Sequence, residues 1–434
     1  MEKEAMDTQG DDRIAVDERM EQMLGGGDDG DIEEVLLETG FQKIPVSAFP
    51  LPESGRVIEM ASDTSIREAV QTLSQYGISS APVRNVDAAP TDTWMKKYLG
   101  VVDFVGIALW VLDKLEEMAS VEKEFVQLGG EADDSIYKVV EDMEVFNTTK
   151  VSSVTNSFSW GPFLPVTMED SLLSVLIILS RYNFHRVPVI DIGGDEIRNI
   201  ITQSSVVRML GESKGRWFDK VAEKKISELG LPKPKSLKAK KADLGIPFDG
   251  NDITDKLGLR NASGSNPKGK CEEEVCVQQD AHILDAFRLM KQYDLHGVPV
   301  VDPARRVVGN ISAQDISLLL TRQDSSLLPV HRHVSVKEFM NQGSGLDASS
   351  EVATTESDKG GPRVMCPPVT CTVDSTLRSV IDKMVKTRVH KVYVVDEERR
   401  LVAGISLQDI IGWVVSEPEA GWLSKHMKRL QGIA

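Results

Sequence analysis

The sequence is poor in the features that mark a secreted domain, a membrane protein or an enzyme. It has only four cysteines in 434 residues: Cys271, Cys276, Cys366 and Cys371. The first forty residues are acidic and broken by glycines, so no segment there reads as an export signal. Free thiols in a reducing compartment, cytoplasmic and/or nuclear, are therefore expected. Both cysteine pairs are spaced C-x4-C, which can suggest zinc. However, Cys276 and Cys371 sit in the strand-like runs Val275-Cys276-Val277 and Thr370-Cys371-Thr372, without well-placed partner ligands. No metal site is expected.

Long apolar runs are also missing. The longest, Phe104 to Leu112, is about half of the ~18 residues that suggest a membrane span. Aromatic residues make up only 6% of the chain, and the formal net charge is −17. Broad attraction to nucleic acid or an anionic membrane is not expected, although a local basic pocket for phosphates is compatible with that charge. No Ser-His-Asp arrangement, Walker loop, zinc-protease helix or kinase string occurs, so the chain is not expected to be an enzyme.

What is present is ordinary for a soluble globular protein: 27% charged and 41% hydrophobic residues, with length for two to four domains. Self-comparison shows four copies of one pattern. Each opens a helix at an acidic residue: Asp63-Thr64-Ser65-Ile66, Glu169-Asp170-Ser171-Leu172, Asp280-Ala281-His282-Ile283 and Asp374-Ser375-Thr376-Leu377. An acidic or hydroxyl residue there can cap the first turn and favour its positive end.

Apolar residues then recur at helical spacing. They are Ile66, Ala69, Val70 and Leu73 in the first copy, and Leu172, Val175, Leu176 and Leu179 in the second. The third has Ile283, Ala286, Phe287 and Met290, and the fourth Leu377, Val380, Ile381 and Met384. Asp63 to Pro82, Glu169 to Pro188, Asp280 to Pro299 and Asp374 to Tyr393 are each 19 positions apart.

Those last residues lie in short runs dense in Val and Ile, as in Val187-Pro188-Val189-Ile190 and Val298-Pro299-Val300-Val301, which predict strands buried on both faces. A second strand and second helix follow, so the module is β-α-β-β-α. One copy is too small to bury both faces of its sheet, and pairing of copies is expected.

The predicted organisation is an acidic, disordered N-terminus at 1–40, a first module at 41–115, an acidic insertion at 116–145 and a second module at 146–215. A linker at 216–232 and a Lys/Gly/Pro-rich insertion at 233–270 follow. A third module spans 271–325 and a fourth 326–418, with a Gly/Ser-rich loop at 341–362, and the tail is 419–434. Residues 1–35 hold thirteen Asp/Glu against three Lys/Arg, which suits disorder. Lys233, Lys235, Lys238, Lys240 and Lys241 can be a nuclear signal, a contact for an acidic partner or a solvated loop. Ser159-Trp160-Gly161-Pro162-Phe163 can anchor a partner or pack locally.

The four segments resemble cystathionine-β-synthase (CBS) motifs in two tandem pairs. Further strings extend the likeness: Lys43-Ile44-Pro45-Val46-Ser47-Ala48-Phe49-Pro50, Ser159-Trp160-Gly161-Pro162-Phe163-Leu164, His185-Arg186-Val187-Pro188-Val189-Ile190-Asp191, Asn199-Ile200-Ile201-Thr202-Gln203-Ser204 and Val389-His390-Lys391-Val392-Tyr393-Val394-Val395-Asp396. With these, the chain is similar to the plant-type gamma regulatory subunits of the sucrose-non-fermenting-related kinases, counterparts of AMP-activated protein kinase. The resemblance implies an α/β fold of four CBS modules, two tandem pairs forming a pseudo-symmetric disk. It implies catalytic alpha and beta kinase subunits as partners, and adenine nucleotides (AMP, ADP or ATP) as regulatory ligands in clefts between copies.

The resemblance also implies a nucleotide signature: a hydroxyl residue followed three positions later by Asp, where the second helix begins. A carboxylate can accept both ribose hydroxyl protons, while a hydroxyl and free N–H groups suit phosphate. Ser312 with Asp315 and Ser406 with Asp409 keep the pair; Thr202 is followed by Ser205, and the first copy has Asp103 and Gly106 there. At most two competent ribose sites are therefore expected, both in the C-terminal half. Helix N-capping is the alternative role for these pairs.

The family places phosphate-contacting basic residues where His185-Arg186 and His390-Lys391 stand. The first and third copies depart, with Ser79-Ser80 and His296-Gly297. Exposed strand-edge charge is the alternative. A ligand-free scaffold, or an adaptor for a different enzyme or transporter, remains the rival to a kinase subunit.

Overall fold

The computed structural model describes residues 16, 18–20, 34–52, 55–107, 109–110, 114, 147–155, 163–182, 184–192, 196–213, 216–231, 274–293, 295–312, 315, 335–343, 367–415, 418 and 421–431. The acidic insertion, the lysine cluster, nearly all of the Gly/Ser-rich loop, Ser159 to Pro162, Cys271 and Cys366 lie outside the described residues.

Four three-stranded sheets follow one plan. They are β1 (Met60–Ala61), β2 (Ser80–Arg84) and β3 (Tyr98–Asp103); β4 (Val166–Thr167), β5 (Arg186–Ile190) and β6 (Ile197–Thr202); β7 (Val277–Gln278), β8 (Gly297–Val301) and β9 (Val307–Ser312); and β10 (Thr370–Cys371), β11 (Lys391–Val395) and β12 (Leu401–Ser406). In each, the short first strand runs parallel to the middle one, and the third runs antiparallel to it. The middle strands carry Ala81 and Val83, Val187 and Val189, Val298 and Val300, and Val392 and Val394, all fully buried.

The helix described before the first sheet is α1 (Glu34–Lys43). A helix links the first two strands of each sheet: α2 (Ile66–Gln75), then α5 (Leu172–Arg181), α8 (Ile283–Tyr293) and α10 (Leu377–Thr387). The others are α3 (Trp94–Lys97), α4 (Val151–Thr155), α6 (Gln203–Glu212), α7 (Arg216–Ala222), α9 (Val336–Gly343), α11 (Leu407–Trp413) and α12 (Trp422–Gln431). In α2, α5 and α10 the cap is the hydroxyl two residues after the acidic one. Ser65, Ser171 and Thr376 accept from Glu68, Ser174 and Ser379 backbone N–H groups. Every apolar position read from the period is buried, apart from Val70, which is partly buried.

The sheets join the copies in tandem pairs. Trp94 and Tyr98 of the first copy pack with Phe163, Ile190 and Ile197 of the second, and the Tyr98 and Phe163 rings stack at 4.7 Å. Val301 and Val307 of the third copy pack with Tyr393, Val395 and Leu401 of the fourth. Backbone bonds Val307 N to Arg399 O at 3.0 Å and Leu401 N to Arg305 O at 2.9 Å seal that contact.

Helices join one pair to the other. Helices α5 and α6 of the second copy pack on α10 and α11 of the fourth in one continuous core. Val105 and Leu109 of the first copy enter the core around Phe287 and Met290 of the third. The copies thus close a ring in the order first, second, fourth, third.

Each of these linking helices is also met at its start by a segment from elsewhere. Ile66 N donates to Thr149 O at 2.9 Å, and Leu172 N to Ile44 O at 2.8 Å. Leu377 N donates to Lys224 O at 3.0 Å, while Val336 N donates to Ala281 O at 2.9 Å. The segment around Ile44 leads the first copy yet docks on the second. The segment around Thr149 leads the second yet docks on the first. The second pair repeats this exchange. Helix α12 returns to the second copy, where Arg429 donates to the Asp170 carboxylate at 2.7 Å.

Helices α6 and α10 approach closely at Gly211. A methyl group there would lie 2.9 Å from Ile381 Cγ2 and 3.3 Å from Val385 Cγ2. Gly211→Ala would gain roughly 1 kcal/mol of helix propensity, but overpacking costs about 1–3 kcal/mol. The variant is expected to melt at a lower temperature than the parent, as read by calorimetry.

Candidate functional site

One register recurs in all four sheets. Ser80 faces Asp103, Arg186 faces Thr202, Gly297 faces Ser312 and Lys391 faces Ser406. Directly opposed residues in an antiparallel pair have Cβ atoms only ~4.5–5.5 Å apart. The ladder therefore makes the basic positions and the hydroxyl positions cross-strand neighbours. Each hydroxyl position is also the last residue of its strand, next to a helix start in the second and fourth copies.

The hydroxyl–acid pairs are turned on one another. Ser406 N and Oγ both donate to Asp409 Oδ2, at 2.7 and 2.5 Å, and Asp409 N donates back to Ser406 Oγ at 3.3 Å. Ser312 N and Oγ donate to Asp315 Oδ2 at 2.6 and 2.8 Å. These are capping hydrogen bonds. The Oδ1 atoms take no part in them. In the second copy Thr202 forms the same box with the Ser205 hydroxyl, so the cap survives while the carboxylate is lost.

The basic residues meet acids from the neighbouring copy. Arg186 Nη2 lies 3.5 Å from Asp103 Oδ2, with side chains only 15% and 14% exposed. Lys391 Nζ forms an ion pair with Glu274, these side chains being 13% and 17% exposed. Lys391 lies over the Tyr393 ring, 5.6 Å from its centroid, and the buried Tyr393 hydroxyl bonds Asn310 Oδ1. Burial pushes the Tyr393 phenol far above its ordinary value, so it stays protonated. Arg186 Nη1 is buried and has no hydrogen-bond partner among the described residues.

Three imidazoles from three copies sit beside these pairs. The His185 and His296 ring centroids are 4.0 Å apart, and those of His296 and His390 6.4 Å. Burial and the adjacent Arg186 charge push His185 down to about 4, despite the opposing pull of Asp103. Burial and the other two imidazoles hold His296 well below the ordinary histidine value. Burial lowers Arg186, and Asp103 offsets part of that.

The structure therefore sets Arg186 beside Thr202, Lys391 beside Ser406, and both His185 and His390 near His296. Asp315 and Asp409 are held by their own serines. Reading the sequence missed three members: His296, Asp103 and Glu274. His296 carried a signal, since it stands at the same ladder place as His185 and His390. Asp103 was visible as an acid in a hydroxyl position. Glu274 lies outside every repeat position and gave no signal.

The profile of the family described as "CBS domain" matches residues 151–212, 271–322 and 363–416. The chain is 33% identical over 400 residues to SNF1-related protein kinase regulatory subunit gamma-1 of Arabidopsis thaliana, covering 88% of this chain and 84% of that one. It is 24% identical to 5'-AMP-activated protein kinase subunit gamma-3 of Bos taurus, over 59% of this chain and 40% of the other. A crystal structure from Methanocaldococcus jannaschii, described as an archaeal homolog of gamma-AMPK, superimposes with a TM-score of 0.50 at 14% identity. That match covers 82% of this chain and 96% of that one, and supports the shared fold.

The crowded imidazoles have a measurable consequence. His185 stays neutral in the folded protein to about pH 4, whereas the unfolded chain takes up that proton near 6.5. Between these values the unfolded state binds more protons, so stability falls as pH falls. An NMR titration is expected to place the His185 midpoint near 4. A midpoint near 6.5 would contradict the geometry.

Proposed function

We propose a function from one established premise: the chain belongs to the family of SNF1-related protein kinase regulatory gamma subunits. On that premise it is a non-catalytic regulatory subunit of a heterotrimeric, energy-sensing Ser/Thr protein kinase. Its partners are catalytic alpha and beta subunits, and its regulatory ligand is AMP, ADP or ATP. Among the described residues no helix is long and apolar enough to cross a membrane, and the proposed location is cytoplasm, nucleus or both.

The observation that carries this reading is the shared ladder register. It sets a cation opposite a hydroxyl in the second and fourth copies, and a hydroxyl–carboxylate pair at the end of the third strand in the third and fourth. Such a set offers a carboxylate for ribose hydroxyls and cations for phosphates. The names of the relatives support it, since the bovine protein is named as a subunit of an AMP-activated kinase. Occupancy would regulate the kinase only through unequal affinity for its active and inactive states.

A second reading is a scaffold that binds its kinase partners without responding to nucleotide. The ion pairs on Arg186 and Lys391 favour it, because both cations already have carboxylate partners.

Calorimetric titration of the full chain with AMP, ADP and ATP separates the two. Binding of at least one is expected. Asp315→Ala and Asp409→Ala are expected to weaken it about 10- to 100-fold each, the scale of losing charge-assisted hydrogen bonds. Glu397→Ala, on the exposed β11–β12 turn, is expected to leave it unchanged. No heat at millimolar ligand, together with kinase-subunit affinity that ignores nucleotide, would establish the scaffold.

A further inference from the structure

The two ion pairs at the centre share a pattern that capping and ribose binding do not explain. In each tandem half, the even copy supplies the cation and the odd copy the acid. Arg186 of the second copy meets Asp103 of the first, and Lys391 of the fourth meets Glu274 of the third. All four side chains are 13–17% exposed. Ion pairs so shielded differ from the freely solvated ones on the surface, which contribute roughly 0–1 kcal/mol. Here water screens little, and removing either partner strands a charge.

The placement of each acid is informative. Asp103 occupies the ladder position that is a neutral hydroxyl in the other three copies. The first copy thus puts an internal anion where the others present a hydroxyl. Its Oδ1 also accepts from Gly106 N at 2.7 Å, which fixes the carboxylate at that strand end.

Glu274 acts from a different element, the approach to β7, and displaces its cation. Lys391 faces Ser406 across the ladder, yet its terminal atoms lie over Gly404 on the way to Glu274. Gly404 is two residues back along β12, a shift of about 6.6 Å at ~3.3 Å per residue. The absent side chain at Gly404 is what admits the lysine there, since a Cβ would collide with Lys391 Cε and approach Glu274 Oε1 to 3.0 Å.

We propose that Asp103 and Glu274 are built-in competitors for the anionic part of the ligand. They hold Arg186 and Lys391 in neutral resting pairs that a phosphate must displace, and so set how weakly the chain binds a nucleotide. This rests on the nucleotide-binding reading above and adds the residues that determine affinity. His185 and His296 do not supply the missing positive charge near neutral pH, because both are held neutral by burial and neighbouring positive charge. Among the described residues, the charged and titratable groups that meet in the cluster include Asp103, Arg186, Lys391, Glu274, the Tyr393 phenol and the three imidazoles. Each cation is therefore matched by one internal acid. Phosphate binding exchanges one anion for another instead of meeting an open cation.

The test is calorimetry of the full chain with AMP, comparing the parent with Asp103→Asn, Glu274→Gln, Arg186→Ala and the double variant Asp103→Asn/Arg186→Ala. Asparagine and glutamine keep shape and an acceptor oxygen while removing the charge. Each neutralised acid is expected to tighten AMP binding about tenfold, the lower end of coupling for close charge pairs. Arg186→Ala is expected to weaken binding, and adding Asp103→Asn to it should restore nothing. The two acids lie in different halves, so Glu274→Gln reports even if Asp103→Asn disturbs the Gly106 contact.

Weaker or unchanged binding in both Asp103→Asn and Glu274→Gln, with clear binding by the parent, would overturn the inference and leave nucleotide binding standing. Weaker binding would identify the acids as positioning groups for the cations. No binding by the parent or any variant would overturn both readings, because unmasking the cations should expose an anion site.

Discussion

A three-stranded sheet flanked by two helices cannot cover its own apolar surface, and the rest of the architecture follows from that constraint. Val187, Val189 and Ile190, like Val298, Val300 and Val301, are fully buried along consecutive positions of one strand. A sheet of this kind must be roofed on both faces. In this chain another copy's sheet roofs one side and helices the other, and the two kinds of contact alternate around a ring of four. Because each copy repeats the same β-ladder register, closing the ring brings equivalent residues of different copies toward one place. The meeting of His185, His296 and His390 results from repetition plus burial.

Repetition explains why so much was readable from the sequence and where reading stopped. The constant 19-residue spacing located every helix-to-strand crossover, and the apolar stripes named the buried face of each linking helix. The hydroxyl–acid pairs were found at Ser312/Asp315 and Ser406/Asp409, and the structure shows the capping role, through Oδ2 of each carboxylate. Local reading cannot see a partner that comes from another copy. Glu274 lies ahead of its module's first strand and meets Lys391 across 117 positions of chain. His296 looked like a departure because the residue after it is Gly297 instead of a cation. Its ring lies 4.0 Å from that of His185 and 6.4 Å from that of His390, which makes it a member of the cluster nonetheless.

The electrostatics at the centre differ from those suggested by a count of basic residues. Arg186 and Lys391 are formally cationic and are the proposed phosphate contacts. Their fields are largely cancelled at short range by carboxylates of similar burial. A low local dielectric strengthens such pairs but also makes an uncompensated charge expensive. Under the proposed binding mode, exchange of one anion for another therefore costs less than leaving either cation or acid uncompensated.

The crossed docking of the leading segments bears on how the molecule can be divided. The segment at Ile44 completes the second copy, and that at Thr149 completes the first. Lys224 to Leu231 completes the fourth. Each copy is thus completed by a segment that leads the other copy of its pair, and the boundary between copies does not fall where the repeats begin. A fragment starting at the third module's first strand would leave the backbone of Ser375 and Leu377 without the partners that Lys224 and Ile226 provide. Shuffling, truncating or grafting this protein by repeat number would sever pieces that belong together, whereas a cut between Ser213 and Arg216 would keep Lys224 to Leu231 on the side of the fourth copy that they complete.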